Sequence, residues 1–178
     1  CAARLLTLDL YGGQERVEVA RLAAEAGRAV IVGDLRSTDH PVLPYTTVAI
    51  ASAAEMRREY PGLSVRQFAS AVRAAGASQV IVTDGPADVH VFEAEGQQLA
   101  IRPPQVTVVD TTGAGDAFRA GVVYGVLAGW SLADAAALGT AAGALSVGRV
   151  GAASNIPSLG EVRALAATLA RREAAPGG

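Results

Sequence analysis

The segment Asp110-Thr-Thr-Gly-Ala-Gly-Asp116 contains the residue types of a loop that handles phosphate. Its two glycines, Gly113 and Gly115, allow a sharp turn and a close approach of the backbone to a ligand. The helix predicted to begin here directs the free N–H groups of its first turn at negative charge. The sequence therefore predicts an anion site at this loop.

Asp116 is the most informative residue of the loop, because two interpretations of it remain open. A carboxylate in the first turn of a helix is common, since it interacts favourably with the helix dipole. A loop that only held phosphate would gain nothing from a second negative charge. A loop that transfers a phosphoryl group to an alcohol needs a base for the hydroxyl proton, with the amides of Gly113, Ala114 and Gly115 around the phosphoryl group.

Two other types of glycine loop do not fit this segment. The Walker A loop requires lysine, and all 15 basic residues of the chain are arginine. The dinucleotide-binding fingerprint has three glycines, and Phe118 stands where the third belongs. A Rossmann oxidoreductase is therefore a poor candidate.

The elements that must position the loop follow an α/β pattern. Apolar runs without alternation predict buried strands, and periodic segments between them predict helices. The strands are predicted at Leu5–Asp9, Ala29–Gly33, Thr47–Ala51, Gln79–Asp84 and Val106–Val109. The helices are predicted at Glu15–Ala26, Ala53–Tyr60, Ser64–Ala75, Ala114–Ala128, Leu132–Ser146 and from Ser158 to about Arg172. An antiparallel hairpin is predicted from Val89 to Arg102, and we expect one domain over residues 1–178.

Composition excludes several classes of protein. Of the 178 residues, 51% are hydrophobic and 18% charged, so disorder is not expected. The formal net charge of −2, without a block of like charge, argues against binding to nucleic acid or a membrane surface. A single cysteine and two distant histidines give no metal-ligand spacing. A cytoplasmic protein is the default expectation.

Asp110-Thr-Thr-Gly-Ala-Gly-Asp-Ala-Phe-Arg-Ala-Gly121 closely resembles the second signature of the ribokinase (PfkB-type) carbohydrate kinase family. Three further segments resemble family motifs in the same order along the chain. They are Ser52-Ala-Ala-Glu55 (Asn-x-x-Glu in the family), Val82-Thr-Asp-Gly85 (the Thr-x-Gly strand end) and Ser146–Pro157 (the loop near adenine). The resemblance implies a three-layer αβα fold with a mostly parallel central sheet.

The resemblance also implies roles for individual residues in a kinase that uses ATP and Mg²⁺ on a sugar or sugar-like alcohol. Asp116 becomes the catalytic base, and Gly113, Ala114 and Gly115 form the anion hole. The implied nucleotide contacts are Thr83, Gly85, Ser52, Glu55, Thr140 and Gly143, with Glu55 acting on magnesium through water. The implied site for a potassium-like ion comprises Asp110, Thr112 and Asn155.

Three departures from the family pattern qualify this resemblance. Ser52 replaces the usual asparagine, and Glu55 is equally compatible with an exposed helical carboxylate. Asp88 stands where a second glycine often follows, which adds negative charge near the phosphates. The sequence from Cys1 onward contains no segment that resembles the family's N-terminal half, its glycine-pair signature or its β-sheet lid.

We therefore expect a C-terminal portion that pairs with itself, as a homodimer, or with a missing N-terminal half. Strand edges and apolar surface that such a half would cover should otherwise lead to association. The alternative function is a catalytically inactive nucleotide-binding or interaction fragment of the same fold, in which Asp116 only caps the helix.

Overall fold

The structure is a computed structural model and describes residues 2–151 and 156–173. The chain divides into two compact units. The described part of unit 1 comprises residues 2–84 and 90–98. The described part of unit 2 comprises residues 85–89, 99–151 and 156–173. The expectation of one domain over the whole chain stays a prediction.

Strands and helices alternate along the first half of the chain, and helices dominate the second half. The strands are β1 Leu5–Leu8, β2 Ala29–Leu35, β3 Val48–Ser52, β4 Gln79–Thr83, β5 Val89–Phe92, β6 Gln98–Ile101 and β7 Arg171–Glu173. The helices are α1 Gln14–Glu25, α2 Ala53–Glu59, α3 Val65–Ala74, α4 Ala114–Leu127, α5 Leu132–Ser146 and α6 Leu159–Ala166. A short 3₁₀ turn, Leu43–Tyr45, lies between β2 and β3.

In unit 1, β1 to β4 pair in parallel, each with the next strand along the chain, and β5 pairs antiparallel with β4. Val48, Ala49, Ile50 and Ala51 of β3 are all buried, so this strand is covered on both faces. Burial on both faces is the reason that the strands are apolar without alternation. The predicted α/β class with a mostly parallel sheet is confirmed.

Strand β2 is irregular at its carboxyl end. Its pairing with β3 shifts between Val32 and Leu35, which marks a β-bulge. Asp34 lies in this bulge with φ +54°, a left-handed conformation that few residues other than glycine adopt. The bulge keeps Leu35 buried opposite Ala51 and is followed directly by Arg36.

Helices α4 and α5 of unit 2 pack at very short range. A Cβ atom added to Gly121 would lie 2.6 Å from the Cα atom of Gly139. One added to Gly125 would lie 2.6 Å from the Cβ atom of Ala135. Helix α5 is buried at every position from Leu132 to Ala142 except Asp134, so small side chains are needed around most of its circumference. The bounds predicted for α5 agree with the structure.

The strand predicted at Val106–Val109 is wrong. No described strand pairs with this segment, and Val108 and Val109 are 60% and 54% exposed. The Val109 N–H donates to the Val147 carbonyl at 2.8 Å, which ties the segment to the end of α5. An apolar, β-branched run predicts a strand only if a neighbouring strand is available to pair with it.

The last helix is shorter than the predicted range from Ser158 to about Arg172. Helix α6 ends at Ala166, and Arg171–Glu173 form β7, antiparallel to β6. The Arg171 guanidinium pairs with Asp134 at 2.5 Å, and Arg172 pairs with Asp88. Strand pairing and these ion pairs come from residues distant in sequence, which is why the local helical pattern misplaces the end.

Of the described helices, none combines the length and the apolar character that a membrane crossing requires.

Candidate functional site

The glycine loop turns into α4 at Gly113. Gly113 has φ +78° and ψ 1° and precedes the first helical residue, Ala114. This left-handed conformation costs other L-residues roughly 1–2 kcal/mol, so glycine is favoured here. The Ala114 N–H donates to the Thr111 carbonyl at 3.2 Å and closes the turn.

The first turn of α4 leaves backbone donors available. Within the described residues, the Ala114 and Ala117 amides donate to Thr111 and Gly113, whereas those of Gly113, Gly115 and Asp116 donate to no backbone carbonyl. A Cβ atom built on Gly115 would meet nothing within 4 Å. The protein itself therefore does not require glycine at position 115, and the space beside that amide is open to a ligand.

Asp116 is the third residue of α4, and its side chain is 74% exposed. Its Oδ1 atom accepts a hydrogen bond from Arg119 Nη2 at 2.7 Å, one turn further along the helix. Among the described residues, no backbone N–H of the first turn donates to the Asp116 carboxylate. The carboxylate is thus not held as a helix cap and can reach a ligand from solvent.

Asp110 holds the loop to the segment that follows α5. Its carboxylate accepts hydrogen bonds from the Thr112 N–H at 2.9 Å and from the Gly151 N–H at 3.0 Å. These bonds, the one from Thr112 first, hold the pKa of Asp110 below its usual value. Asp110 is therefore an anion with a positioning role in the loop.

The potassium-like site stays a prediction. Asp110 and Thr112 lie together as expected, but Asn155 lies outside the described residues. Among the residues described, no group of three or more His, Cys, Asp or Glu side chains could hold a metal ion.

Thr140 and Gly143, predicted near adenine, lie on α5, and Gly143 lies on the face that packs against α4. Thr140 is 4% exposed, and its hydroxyl donates to the Ala136 carbonyl at 2.8 Å. A Cβ atom added to Gly143 would lie 3.3 Å from the Ala114 carbonyl oxygen, beside the glycine loop. Both positions have a packing role in the structure, and their contact with a nucleotide stays a prediction.

In unit 1, Ser52 and Thr83 are brought together at the carboxyl ends of β3 and β4. They are direct partners in the register, and the Thr83 hydroxyl donates to the Ala51 carbonyl at 3.3 Å. Ser52 precedes α2 and makes no capping bond with its side chain. In open α/β sheets, ligands bind outside the carboxyl ends of the strands.

Glu55 lies in the first turn of α2, and its side chain is 25% exposed. Its carboxylate pairs with Arg36 at 3.0 Å and with Arg58 at 4.0 Å. Arg36 also donates to the Tyr11 hydroxyl at 2.8 Å and stacks over the Tyr11 ring. Glu55 is therefore held in an ion-pair network and is only partly exposed, which differs from the alternative interpretation as an exposed helical carboxylate.

Asp84 and Gly85 directly follow β4 in the sequence. Gly85 has φ +53°. Asp84, in unit 1, accepts two bonds from Arg57, at 2.6 and 3.0 Å, and these bonds hold the pKa of Asp84 below its usual value.

Asp88 does not contribute an uncompensated charge, contrary to the sequence-based expectation. Its side chain is 12% exposed and pairs with Arg102 at 2.8 Å and with Arg172. Within unit 2, Asp88 thus connects the start of β5 with Arg102, which follows β6, and with Arg172 of β7. The carboxylate that replaces the family's glycine is therefore a structural group neutralised by two guanidinium groups.

Sequence reasoning missed Arg36 and Arg119, the cations paired with Glu55 and Asp116. The signal for Arg119 was available, because i,i+3 spacing on a helix places opposite charges side by side. Arg36 had no such signal, since it reaches Glu55 from another element.

The comparison with protein families decides the classification. The profile of the pfkB family carbohydrate kinases matches residues 10–159. The chain belongs to this family. The resemblance drawn from the glycine loop is confirmed.

Individual relatives agree with the family. The chain is 30% identical over 129 residues to a ribokinase of Lactococcus lactis subsp. lactis, covering 72% of this chain and 41% of that one. It is 31% identical over 168 residues to a 1-phosphofructokinase of Rhodobacter capsulatus, covering 89% of this chain and 51% of that one. The pfkB chain described here spans about half the length of these relatives.

Solved structures establish the fold. A ribokinase of Arabidopsis thaliana, solved with ribose and ATP, superimposes with a TM-score of 0.81 at 25% identity, over 92% of this chain and 56% of that chain. A ribokinase of Thermotoga maritima gives a TM-score of 0.79 at 26% identity, covering 92% and 56%. The pfkB chain has the three-layer α/β ribokinase-like fold.

Proposed function

We propose that this protein transfers the γ-phosphoryl group of ATP to a hydroxyl of a sugar or sugar-like molecule. The observation that carries the proposal is the first turn of α4 in a chain of the pfkB family. There, free backbone amides and the open side of Gly115 lie next to an exposed carboxylate, Asp116. A site that only bound phosphate would not gain from that carboxylate.

In the proposed reaction, Asp116 takes the proton of the acceptor hydroxyl. The acceptor oxygen forms a bond to the γ-phosphorus, the bond from that phosphorus to the bridging oxygen breaks, and ADP leaves. The amides of Gly113 and Gly115 donate to the oxygens of the transferring group. The Ala114 amide, which the sequence also predicted in the anion hole, donates to the Thr111 carbonyl instead, so Ala114 contributes through the position of the turn. Positioning and charge stabilisation provide most of the rate in such transfers.

The nucleotide contacts that the family resemblance implies occur in each unit separately. In unit 1, Thr83 and Ser52 would contact phosphates. In unit 2, Gly85 would contact phosphates, and Thr140 and Gly143 would support the adenine side. Structural neighbours support ATP as the donor, since the ribokinase of Arabidopsis thaliana was solved with ribose and ATP. The acceptor class rests on relatives named ribokinase, 1-phosphofructokinase and inositol 3-kinase.

Magnesium fits the chemistry of the nucleotide side. Glu55 provides hard carboxylate oxygens at the carboxyl edge of the sheet, and Mg²⁺ is usually held by one or two carboxylates, waters and substrate phosphates. When bound with ATP, the ion would supply positive charge to the phosphates. Glu55 would hold it through water, while Arg36 keeps the Glu55 carboxylate in place.

The test compares two aspartates in the same position of neighbouring helices. Asp116 is the third residue of α4, and Asp134 is the third residue of α5, where it takes part in the cap with Ser131. The protein expressed from its complete reading frame is given ATP, Mg²⁺ and ribose, fructose, 2-keto-3-deoxygluconate, inositol or a nucleoside, and ADP release is measured. Asp116→Asn should abolish turnover and leave ATP binding intact, whereas Asp134→Asn should retain turnover.

Turnover that survives Asp116→Asn would contradict the assignment of the base. ATP binding by the wild-type protein without turnover on any acceptor would instead favour the second candidate, an inactive nucleotide-binding fragment of the same fold. Calorimetric titration with ATP measures the binding in both variants.

A further inference from the structure

We propose that Arg119 is a positioning residue for Asp116, which fixes one carboxylate oxygen so that the other faces the acceptor hydroxyl. This inference rests on the proposed function. Arg119 Nη2 lies 2.7 Å from Asp116 Oδ1, so Oδ2 is the oxygen that we assign to the hydroxyl proton.

The burial of the two partners is unequal. The Arg119 side chain is 21% exposed, whereas that of Asp116 is 74% exposed. A carboxylate so exposed samples several rotamers, and ordering it costs conformational entropy. The more buried Arg119 side chain is the fixed partner, and it removes that freedom before the substrate binds.

An ordinary helix-surface ion pair differs from this arrangement. On α1, Arg21 pairs with Glu18 and Glu25 at 2.6 and 2.5 Å, and these side chains are 34%, 57% and 57% exposed. Exposed pairs of this kind contribute little to stability. The Arg21 and Glu18 pair belongs to unit 1, whereas the glycine loop belongs to unit 2, so Arg21 provides a control of the same residue type and spacing.

Arginine also suits the role chemically. Its planar fork fixes the orientation of a carboxylate, whereas lysine supplies a mobile point charge. Arg119 also lies one turn along α4 from Gly115, whose amide is proposed to bind the phosphoryl group. Removal of Arg119 should therefore affect the alignment of the base more than the binding of ATP.

The experiment measures kcat and the KM for ATP in Arg119→Ala, Arg119→Lys, Arg21→Ala and Asp116→Asn. It uses the protein from its complete reading frame, with the acceptor found in the screen or, without one, with water as the acceptor. Arg119→Ala should lower kcat by about tenfold or more, since small displacements of a catalytic group cost this much. Its KM for ATP should change by less than about threefold, because uniform binding is retained.

Two further results are expected if Arg119 acts through its guanidinium. Guanidinium ion at millimolar concentration should restore part of the kcat of Arg119→Ala and should not change that of Arg21→Ala. Arg119→Lys should lie between the wild type and Arg119→Ala. Fluorescence of Trp130, the single tryptophan, confirms that each variant is folded.

Three outcomes would overturn the inference. These are a kcat for Arg119→Ala within twofold of that of Arg21→Ala, a rise in the KM for ATP at unchanged kcat, and absence of rescue by guanidinium in a folded variant. If one of these outcomes occurs and Asp116→Asn is inactive in the same experiment, this inference fails while the proposed function stands. If Asp116→Asn stays active, the proposed function itself fails.

Discussion

Gly113 and Gly115 serve different purposes in the glycine loop, although the motif does not distinguish them. Gly113 adopts a left-handed backbone conformation with φ +78°, so the backbone of the turn itself explains why glycine stands at this position. Gly115 is helical, and a Cβ atom there would meet nothing within 4 Å. Contacts within the protein therefore do not explain the glycine at position 115, whereas a phosphoryl group bound in the open space beside it would.

A pair of alanine substitutions separates these two purposes. Gly113→Ala should lower the free energy of unfolding by about 1–2 kcal/mol, because alanine is strained in that conformation. Gly115→Ala should not lower it, since alanine is the better helix former. Gly115→Ala should nevertheless reduce turnover by roughly tenfold or more, because its methyl group displaces the phosphoryl group.

Urea denaturation followed by Trp130 fluorescence measures the stability of both variants, and ADP release measures their turnover. A Gly115→Ala variant with wild-type turnover would contradict a phosphoryl group beside that amide. A Gly113→Ala variant as stable as the wild type would contradict the backbone argument.

The charged residues show what single-residue reasoning missed. Asp88 was expected to place negative charge near the phosphates, yet it is neutralised by Arg102 and Arg172 from distant positions. Glu55 was equally compatible with an exposed carboxylate, yet Arg36 and Arg58 hold it. A one-dimensional motif shows which carboxylates exist, but only long-range contacts show which charges are compensated.

At the scale of elements, the packing of α4 on α5 determines where the glycine loop lies. Gly121 and Gly139 allow the two helix backbones to approach, and Gly143 packs against the start of α4. Any change in the spacing of these helices therefore moves Asp116 and the amides of the first turn.

Gly121→Ala tests this dependence. Its Cβ atom would lie 2.6 Å from the Gly139 Cα atom, so the helices must separate. Overpacking of this kind costs about 1–3 kcal/mol, and turnover should fall with it. Gly160→Ala in α6 is the matched control, since its Cβ atom would lie 4.0 Å from the Ser158 hydroxyl oxygen.

Urea denaturation compares the two variants with the wild type. Gly160→Ala should be as stable as the wild type or more stable. Equal stability of Gly121→Ala and Gly160→Ala would show that close packing at Gly121 is not needed.

At the scale of the whole molecule, both compact units carry exposed large apolar side chains. In unit 1 these include Val19 and Leu22 of α1, 48% and 52% exposed. In unit 2 they include Val108, Val150 and Ile156. The chain spans about half the length of its relatives, and apolar surface of this kind favours association.

We expect residues 1–178, expressed alone, to self-associate. Sedimentation velocity at increasing protein concentration should show species larger than the monomer. Val19→Glu together with Leu22→Glu should reduce this association, because the two positions are three residues apart on one face of α1. A monodisperse monomer at all concentrations would contradict the expectation.

The sequence by itself determined the alternation of strands and helices, the buried parallel strands, the bounds of α5 and the glycine turn into α4. These features depend on periodicity and on local backbone chemistry, which neighbours in the sequence supply. The tertiary structure decided that Val106–Val109 is not a strand, that Arg171–Glu173 is one, and that Arg119 and Arg36 hold the two proposed functional carboxylates. Strand partners and most ion pairs join distant residues, so no local pattern contains them.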